Sequence, residues 1–353
     1  MKIFKKLLFA LPLSLVMFGC SNSKTNSKST TKDNNSTTNN KTNRNSTTNA
    51  NITTENKNID SDYVFGMYPQ SEETNKQTIQ RLNSKAGDLP TSENKYNWTS
   101  YDYYCEGLLS RFMWYQDIDL DDNGTIDYRG VYFTQYREAS TQSTMSSNSY
   151  QQSNGFKTKQ VYWYKYEPIG WTILEDKDEK LILISDSILD SQDFCYSKSI
   201  YEFSHNGGNG YGNNYELSDI RRWLNNNFLN TAFNETERGK IVSSFVDNSS
   251  NTTNKETNIY SCNSVDDKVY LLSYADVNRY YADSSNRSAF GTGYAKCQGL
   301  YTTKNSNSSW LLRSPYGENP DRALCVDTFG DAQYATNVFN TSIGIRPVIC
   351  INK

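Results

Sequence analysis

Short runs that mix aromatic, β-branched and polar residues dominate the chain after residue 60. Gly, Asn, Asp and Ser bound these runs, which is typical of strands separated by turns. The pattern predicts strands at residues 63–67, 112–115, 128–134, 161–166, 171–175, 180–185, 269–272, 309–313, 324–328, 332–336 and 343–351. We expect these many short strands to pair mostly in the antiparallel sense.

Helical periodicity is clearest in residues 218–233. Four apolar side chains there fall at i, i+3, i+4 and i+8: Ile220, Trp223, Leu224 and Phe228. Ser218 stands where an N-cap is expected. The spacing predicts one amphipathic helix that begins after Ser218.

A second helix is expected to begin at Asn234, because Glu237 three positions later completes a capping-box pattern. Its buried stripe would consist of Ile241, Val242 and Phe245. Other helices are predicted at residues 73–86, 273–281 and 293–298. Few helices among many strands indicate the α+β class.

The N-terminus resembles a bacterial lipoprotein signal. A basic start precedes an apolar segment, residues 7–18, that is too short to cross a bilayer, for which about 20 residues are needed. Gly19 and Cys20 match a lipoprotein cleavage point, although Met17 and Phe18 depart from the usual pattern. Lipidation of Cys20 would anchor the chain to the extracytoplasmic face of the cell membrane. The alternative is an ordinary secretory signal.

Residues 20–59 are almost entirely Ser, Asn, Thr and Lys. Such a segment cannot bury enough apolar surface to fold, so it is expected to be a disordered tether with a reach of roughly 35 Å. The whole chain has a net charge of −3, of which residues 1–19 contribute +3 and residues 20–59 contribute +4. Residues 60–353 therefore have a net charge of −10. An acidic domain disfavours nucleic-acid binding.

The domain organisation predicted from these patterns is a signal peptide at residues 1–19, the tether at 20–59 and one globular domain at 60–353. Within that domain we expect a hairpin-bearing N-terminal part, residues 60–160, and a core, residues 161–353. The 27 Tyr, 15 Phe and 6 Trp of the chain can supply a sizeable core.

The histidine and cysteine content limits the possible chemistry. His205 is the only histidine and lies in a Gly/Asn-rich loop, which excludes a multi-histidine zinc centre and disfavours a histidine-based triad. Six cysteines besides Cys20 allow fifteen disulfide pairings or buried thiols. We take Cys325 and Cys350 as the first candidate pair, because their strands are expected to be neighbours. No cofactor is expected.

Residues 119–130 resemble a calcium loop in part. Oxygen-bearing side chains occupy loop positions 1, 3, 5 and 9: Asp119, Asp121, Asn123 and Asp127. Position 12, however, is Gly130 rather than a bidentate carboxylate. The favoured interpretation is a plain hairpin in which Asn123-Gly124 forms the tight turn, without a metal.

A series of motifs resembles the bacterial domain of unknown function 6273 family from about Tyr63 to Ile351. The motifs lie at residues 65–70, 128–133, 164–174, 220–225, 269–273, 310–315 and 344–348. That family carries no established activity, so the resemblance assigns no catalytic residue.

The last forty residues are similar to the end of C-type-lectin-like domains of the formylglycine-generating-enzyme type. A Trp310-bearing strand, residues 323–328, a Gly turn and a closing Gly-Ile-Arg-Pro strand carry this likeness. It implies a lectin-like core and no function. Glu318-Asn319-Pro320 does not have the residue order of calcium-binding lectins.

Several residues near the C-terminus are candidates for structural or binding roles. Arg313 and Arg346 lie in apolar strands with Trp310, so we expect them to be structural and paired with Asp327 or with backbone carbonyls. The connection at residues 316–322 combines an aromatic ring, carboxylates, an amide and a guanidinium. Its predicted ligand-binding residues are Tyr316, Glu318, Asp321 and Arg322.

The leading functional hypothesis is a surface lipoprotein that displays a recognition domain for a glycan or a protein. The alternatives are a polysaccharide hydrolase and a structural envelope protein without a ligand. Tyr and Trp give stacking area and a hydrogen-bonding tip, and no catalytic set stands out, so a binding function is favoured over an enzyme.

Overall fold

The computed structural model describes residues 62–101, 111–141, 149–196 and 211–353. All of these belong to one compact unit, Lys57–Lys353. Cys20, the signal segment, the tether, Cys105 and His205 lie outside the described residues.

Strands make up most of the regular structure. They are β1 Tyr63–Glu72, β2 Thr99–Ser100, β3 Met113–Ile118, β4 Tyr128–Phe133, β5 Val161–Lys177, β6 Lys180–Ser185, β7 Asp190–Ser191, β8 Ile241–Val242, β9 Ser244–Val246, β10 Val265–Asp267, β11 Val269–Tyr270, β12 Ala289–Phe290, β13 Asn307–Ser308, β14 Trp310–Pro315, β15 Arg322–Val326, β16 Tyr334–Asn337, β17 Gly344–Ile345 and β18 Val348–Asn352.

The helices are short. Within the described ranges they are α1 Lys76–Ala86, α2 Tyr150–Ser153, α3 Asp219–Trp223, α4 Leu229–Ala232, α5 Glu235–Lys240, α6 Tyr274–Tyr280 and α7 Gly293–Cys297. A π-helical turn, Leu224–Phe228, joins α3 to α4, and 3-10 turns cover Ser250–Thr252 and Ser284–Arg287. The α+β class is therefore confirmed.

Two sheets organise the described part of the chain. The larger has the order β11-β18-β6-β5-β4-β3-β2, with β1 paired to β5 and β8 paired to β18. The smaller has the order β16-β15-β14-β17-β7, in which β14 and β17 run parallel and the other pairs are antiparallel. Short ribbons β9–β10 and β12–β13 complete the pairing.

Strand β5 spans both strands that were predicted at residues 161–166 and 171–175. It pairs with β4 through its first residues and with β6 through its last. Pro168 stands between these two stretches and faces only β1, opposite Met67. A proline has no N–H to donate, so it is tolerated where one side of the strand lacks a ladder.

The segment predicted as one helix at residues 218–233 is helical but not uniformly α. The Ser218 hydroxyl accepts a hydrogen bond from the Arg221 amide, as an N-cap does. The four apolar residues of the predicted stripe are buried. A π-turn inserts in the middle, which periodicity alone does not reveal.

The second predicted helix is shorter than expected. Its capping box between Asn234 and Glu237 is confirmed, but the helix ends at Lys240. Ile241 and Val242 instead form β8, and Phe245 lies in β9 with 74% of its surface exposed. The prediction that these residues form a buried helical stripe was wrong, because the backbone after Lys240 pairs with β18 as a strand instead.

The core combines aliphatic side chains with many aromatic rings and lies around the two sheets. Trp171 and Trp310 are fully buried in its main cluster, whereas Trp98, Trp114 and Trp163 form a smaller cluster with α1. Among the described residues, no helix has the length and apolar character needed to cross a membrane.

Candidate functional site

The loop that joins β14 to β15 carries the four predicted ligand-binding residues. The Tyr316 hydroxyl donates a hydrogen bond to Oε2 of Glu318 over 3.0 Å. The backbone N–H of Tyr316 donates to the carbonyl of Arg322 over 2.9 Å, which closes the base of the loop. Glu318 and Arg322 are exposed, and Tyr316 and Asp321 are half-buried. We call residues 316–322 the β14–β15 loop.

The Tyr316–Glu318 pair has a defined protonation state. The hydrogen bond to the Glu318 carboxylate raises the pKa of Tyr316 above its ordinary value. The phenol therefore stays protonated at neutral pH, and the carboxylate keeps lone pairs for further donors. This arrangement can stack on an apolar face and hydrogen-bond to hydroxyl or amide groups at the same time.

Asn213 holds the loop from beneath, and sequence reasoning did not identify it. Its buried side-chain amide donates to the carbonyls of Asn319 and Arg322 at 3.0 Å each, and to that of Tyr316 at 3.5 Å. Its backbone N–H donates to the carbonyl of Pro320. One side chain thus satisfies three loop carbonyls, which fixes the loop conformation. No local pattern marks such a long-range contact.

A second segment supports the same loop from another side. The buried Asn258 amide donates to the carbonyl of Pro315 over 3.0 Å. Two residues beyond it, the Tyr260 ring meets the Tyr211 ring edge-on, with 4.7 Å between the ring centroids. Both segments that carry this aromatic pair are therefore hydrogen-bonded to the β14–β15 hairpin. The loop and its supports form a rigid surface that is rich in tyrosine.

Arg313 lies in β14, close to the loop in sequence but inside the protein. Only 5% of its surface is exposed. Nη1 donates to Oδ2 of Asp276 over 2.6 Å and to the carbonyl of Leu271 over 2.7 Å. Nε and Nη2 donate to the carbonyl of Asp247. Burial alone would raise the pKa of Asp276, but the Arg313 guanidinium holds it below the usual range.

Arg346 is buried in a different manner. Its guanidinium lies over the Trp310 ring, 4.9 Å from the centroid, and its Nε donates to the carbonyl of Ser185. The Trp310 indole donates to the carbonyl of Arg287. We expected Asp327 or backbone carbonyls as the partners of these arginines: both arginines donate to backbone carbonyls, and neither pairs with Asp327. Asp327 instead accepts the N–H groups of Phe329 and Asp331 in a turn.

Two buried carboxyl groups, Asp190 and Asp193, have raised pKa values. The Tyr68 hydroxyl donates to Asp190 over 2.7 Å. Burial raises the pKa of Asp190 to about 6 and that of Asp193 to about 7, against the opposing charge of Arg137. Both residues are almost fully enclosed. Groups closed off from solvent in this way do not form an accessible acid–base pair.

The described cysteines are free thiols: Cys195, Cys262, Cys297, Cys325 and Cys350. The expected Cys325–Cys350 disulfide is absent, because β15 belongs to the smaller sheet and β18 to the larger one. Burial raises the pKa of the Cys195, Cys297 and Cys325 thiols, so the reactive thiolate is scarce at neutral pH.

The hairpin predicted around residues 119–127 is confirmed, with Ile118 opposite Tyr128. Its turn is a nine-residue loop rather than a tight Asn123-Gly124 turn. Asp119 accepts the N–H groups of Asn123 and Gly124 within this loop. The carboxylates of Asp119, Asp121 and Asp127 approach within 4.8 Å of one another. Clusters of exposed carboxylates are common without an ion.

A cleft of about 530 Å³ lies between β3, β4 and the α4–α5 segment. At its wall Arg129 forms a bidentate pair with Asp117, with distances of 2.7 and 2.6 Å. Its guanidinium lies 4.3 Å from the centroid of the Tyr115 ring. This cleft was missed from the sequence, although Asp117 and Arg129 face each other across the predicted hairpin. Because the Arg129 and Asp117 charges already bind each other, we assign the pair a structural role.

Comparison with known proteins gives one match. Residues 178–353 match the model of a family described as Domain of unknown function (DUF6273). This part of the chain, from β6 to β18, is similar to that family, and the motifs noted before residue 178 lie outside the matched range. No curated protein and no solved structure matches the chain.

Proposed function

We propose that this chain is a lipoprotein anchored to the extracytoplasmic face of the cell membrane, whose domain recognises a glycan or a protein through the β14–β15 loop. The observation that carries the proposal is the loop held by Asn213, which presents the Tyr316–Glu318 pair to solvent. The proposed lectin-like core would account for this placement, since loops on a rigid scaffold commonly carry binding residues.

Rigidity is the reason to favour binding at this loop. A ligand that meets an ordered loop does not have to supply the free energy of ordering it. Three loop carbonyls are fixed by one amide, and a neighbouring residue, Asn258, fixes the strand end. The exposed Glu318 and Arg322 side chains remain able to bond to a partner.

The anchor part of the proposal rests on the N-terminal sequence. Acyl chains on Cys20 and a flexible tether would hold the domain clear of the lipid surface. Replacing Cys20→Ser should move the protein from the membrane fraction into the medium or the soluble envelope fraction. Retention of the variant in the membrane fraction would refute the anchor, and a soluble wild type would indicate an ordinary secretory signal.

The recognition part is tested with the mature chain on arrays of glycans and intact cells. The proposal expects selective, saturable binding to a limited set of ligands. Turnover of labelled polysaccharides would favour the hydrolase hypothesis instead, and neither binding nor turnover would favour a structural envelope role. The enclosed positions of Asp190 and Asp193 do not support the hydrolase hypothesis.

A further inference from the structure

The cleft of about 530 Å³ beside the β3–β4 hairpin has two walls of different character. The first wall is formed by β1, β3, β5 and the β3–β4 turn, which contribute Met67, Tyr115, Ile126 and Tyr166. Met67 is 37% exposed and Ile126 is 40% exposed. Large side chains that keep this much exposed surface inside a cleft are available to a ligand. We call these four residues the apolar wall.

The second wall is polar and belongs to the α4–α5 segment. It consists of Asn230, Thr231, Asn234 and Glu235, which we call the polar wall. Within the described residues, the side chains of Asn230, Thr231 and Glu235 have no hydrogen-bond partner. Oδ1 of Asn234 accepts the N–H of Glu237 as part of the capping box, which leaves its Nδ2 unused. The polar wall therefore has both donors and acceptors available for a ligand.

The charges in the cleft disfavour an ionic ligand. Nε and Nη2 of the buried Arg129 both donate to Asp117, and Nη1 of Arg238 donates to a backbone carbonyl. The carboxylates of Glu235 and Glu237 line the same cleft. An anion would be repelled by the carboxylates, and a cation would be repelled by the two guanidinium groups. A neutral ligand meets neither repulsion.

Hydroxyl groups fit the polar wall best, because a hydroxyl both donates and accepts hydrogen bonds. A ligand in this cleft must also cover the apolar wall with an apolar face, which favours a ring with polar edges. A sugar ring has both features. We propose that the cleft binds a short neutral oligosaccharide, with a sugar ring packed on the apolar wall and its hydroxyl groups bonded to the polar wall.

This site is separate from the site of the proposed function. Its apolar wall lies in the larger sheet and its polar wall in the α4–α5 segment, whereas the β14–β15 loop belongs to the smaller sheet. The inference therefore goes beyond the proposed function, and the two can be tested independently.

The methionine methyl groups give a local measurement of binding. Met67 lines the cleft, whereas Met113 is fully buried in the core. The full chain, labelled with ¹³C at the methionine methyls, is titrated with neutral tetrasaccharides of glucose, xylose or N-acetylglucosamine. Matched titrations use the anionic galacturonic acid and the cationic glucosamine tetrasaccharides. We expect at least one neutral tetrasaccharide to shift the Met67 signal saturably and to leave the Met113 signal in place.

One residue from each wall is removed to test the contacts. The double substitution Ile126→Ala and Asn230→Ala removes an apolar contact and a hydrogen bond, which should weaken the binding about tenfold. The matched control, Leu89→Ala with Asn97→Ala, changes the same kinds of side chain at exposed positions elsewhere and should bind normally. The melting temperature and an unchanged Met113 signal show that each variant is folded.

Two further variants test the charge of the ligand and the independence of the site. Glu235→Gln keeps an acceptor and removes the charge, so the affinity for the neutral tetrasaccharide should be nearly unchanged. The combined substitution of Tyr316, Glu318 and Asp321 by Ala should leave the Met67 shift intact. If binding were lost in this loop variant and kept in the cleft variant, the β14–β15 loop would be the sugar site and this inference would be wrong.

Three other results would overturn the inference. They are no shift of the Met67 signal with any neutral tetrasaccharide, a shift caused only by the anionic or the cationic tetrasaccharide, and equal affinity of the wild type and the folded cleft variant. A shift caused only by the cationic tetrasaccharide and lost in Glu235→Gln would assign the cleft to an amine instead.

Discussion

Arg313 and the β14–β15 loop lie within ten residues of each other in one hairpin, yet their polar groups are used in opposite ways. Each nitrogen of the Arg313 guanidinium has a partner inside the protein. In the loop, Asn213 bonds to the backbone, the Glu318 and Arg322 side chains are exposed, and Tyr316 is half-buried with its hydroxyl on Glu318. Polar side chains whose hydrogen-bonding groups are all used inside the protein stabilise the fold. Polar side chains that keep free hydrogen-bonding groups on a fixed backbone are suited to binding.

The largest effect that separates the two regions is expected at Arg313. Arg313→Ala would remove the charged partner of the Asp276 carboxylate and the side-chain donor of two carbonyls, which should lower the free energy of unfolding by about 3–5 kcal/mol. Arg322→Ala, at an exposed position on the same hairpin, is the matched control and should change it by less than about 0.5 kcal/mol. Urea unfolding measures both. Equal stability of the two variants would show that Arg313 does not stabilise the fold more than an exposed loop residue does.

Asn213 links the two regions, so its loss should affect both stability and binding. Asn213→Ala would remove the side-chain donor from three loop carbonyls, of which those of Asn319 and Arg322 keep a backbone donor, and should lower the free energy of unfolding by about 1–3 kcal/mol. Amide hydrogen exchange should accelerate in residues 316–322. Asn278→Ala, at an exposed position in α6, serves as the control. Unchanged exchange in the loop would show that Asn213 does not order it.

An effect smaller than that of Arg313→Ala should appear as a pH dependence of stability. The pKa of Asp193 is raised to about 7 in the folded protein, from an ordinary value near 3.8. The folded state therefore binds the Asp193 proton more tightly than the unfolded state does. The resulting stabilisation of the fold is fully present below about pH 4 and is lost as pH rises through 7. The melting temperature should fall between pH 5 and pH 8. Asp193→Asn should reduce that fall by the equivalent of about 2–3 kcal/mol; an identical profile for this variant would contradict the assignment.

Local patterns predicted much of the fold. The capping box at Asn234, the N-cap at Ser218 and the β3–β4 hairpin all depend on residues close in sequence, and all were confirmed. The predictions failed where distant strands decide the outcome. Ile241 pairs with Ile351, which turns the end of a predicted helix into β8.

The candidate site follows the same rule. The residue types of the β14–β15 loop could be read from the sequence, but not the support from Asn213, which lies more than one hundred positions before them. For the cysteines, the sequence predicted a long-range contact that the sheet topology does not allow. Cys325 and Cys350 were expected on neighbouring strands, and the pairing of β14 with β17 rather than β18 assigns them to different sheets.

The central claim is tested most directly by the combined substitution of Tyr316, Glu318 and Asp321 by Ala, measured for ligand binding and for melting temperature. Tyr316 is half-buried against the core whereas Glu318 is exposed, so the variant should melt a few degrees lower but stay folded, while binding found on the array is lost. A matched triple variant at exposed Tyr96, Glu93 and Asp88 should keep both properties. Full binding by the correctly folded loop variant would contradict the account and would make the Gly-rich sequence at residues 205–215 the next candidate.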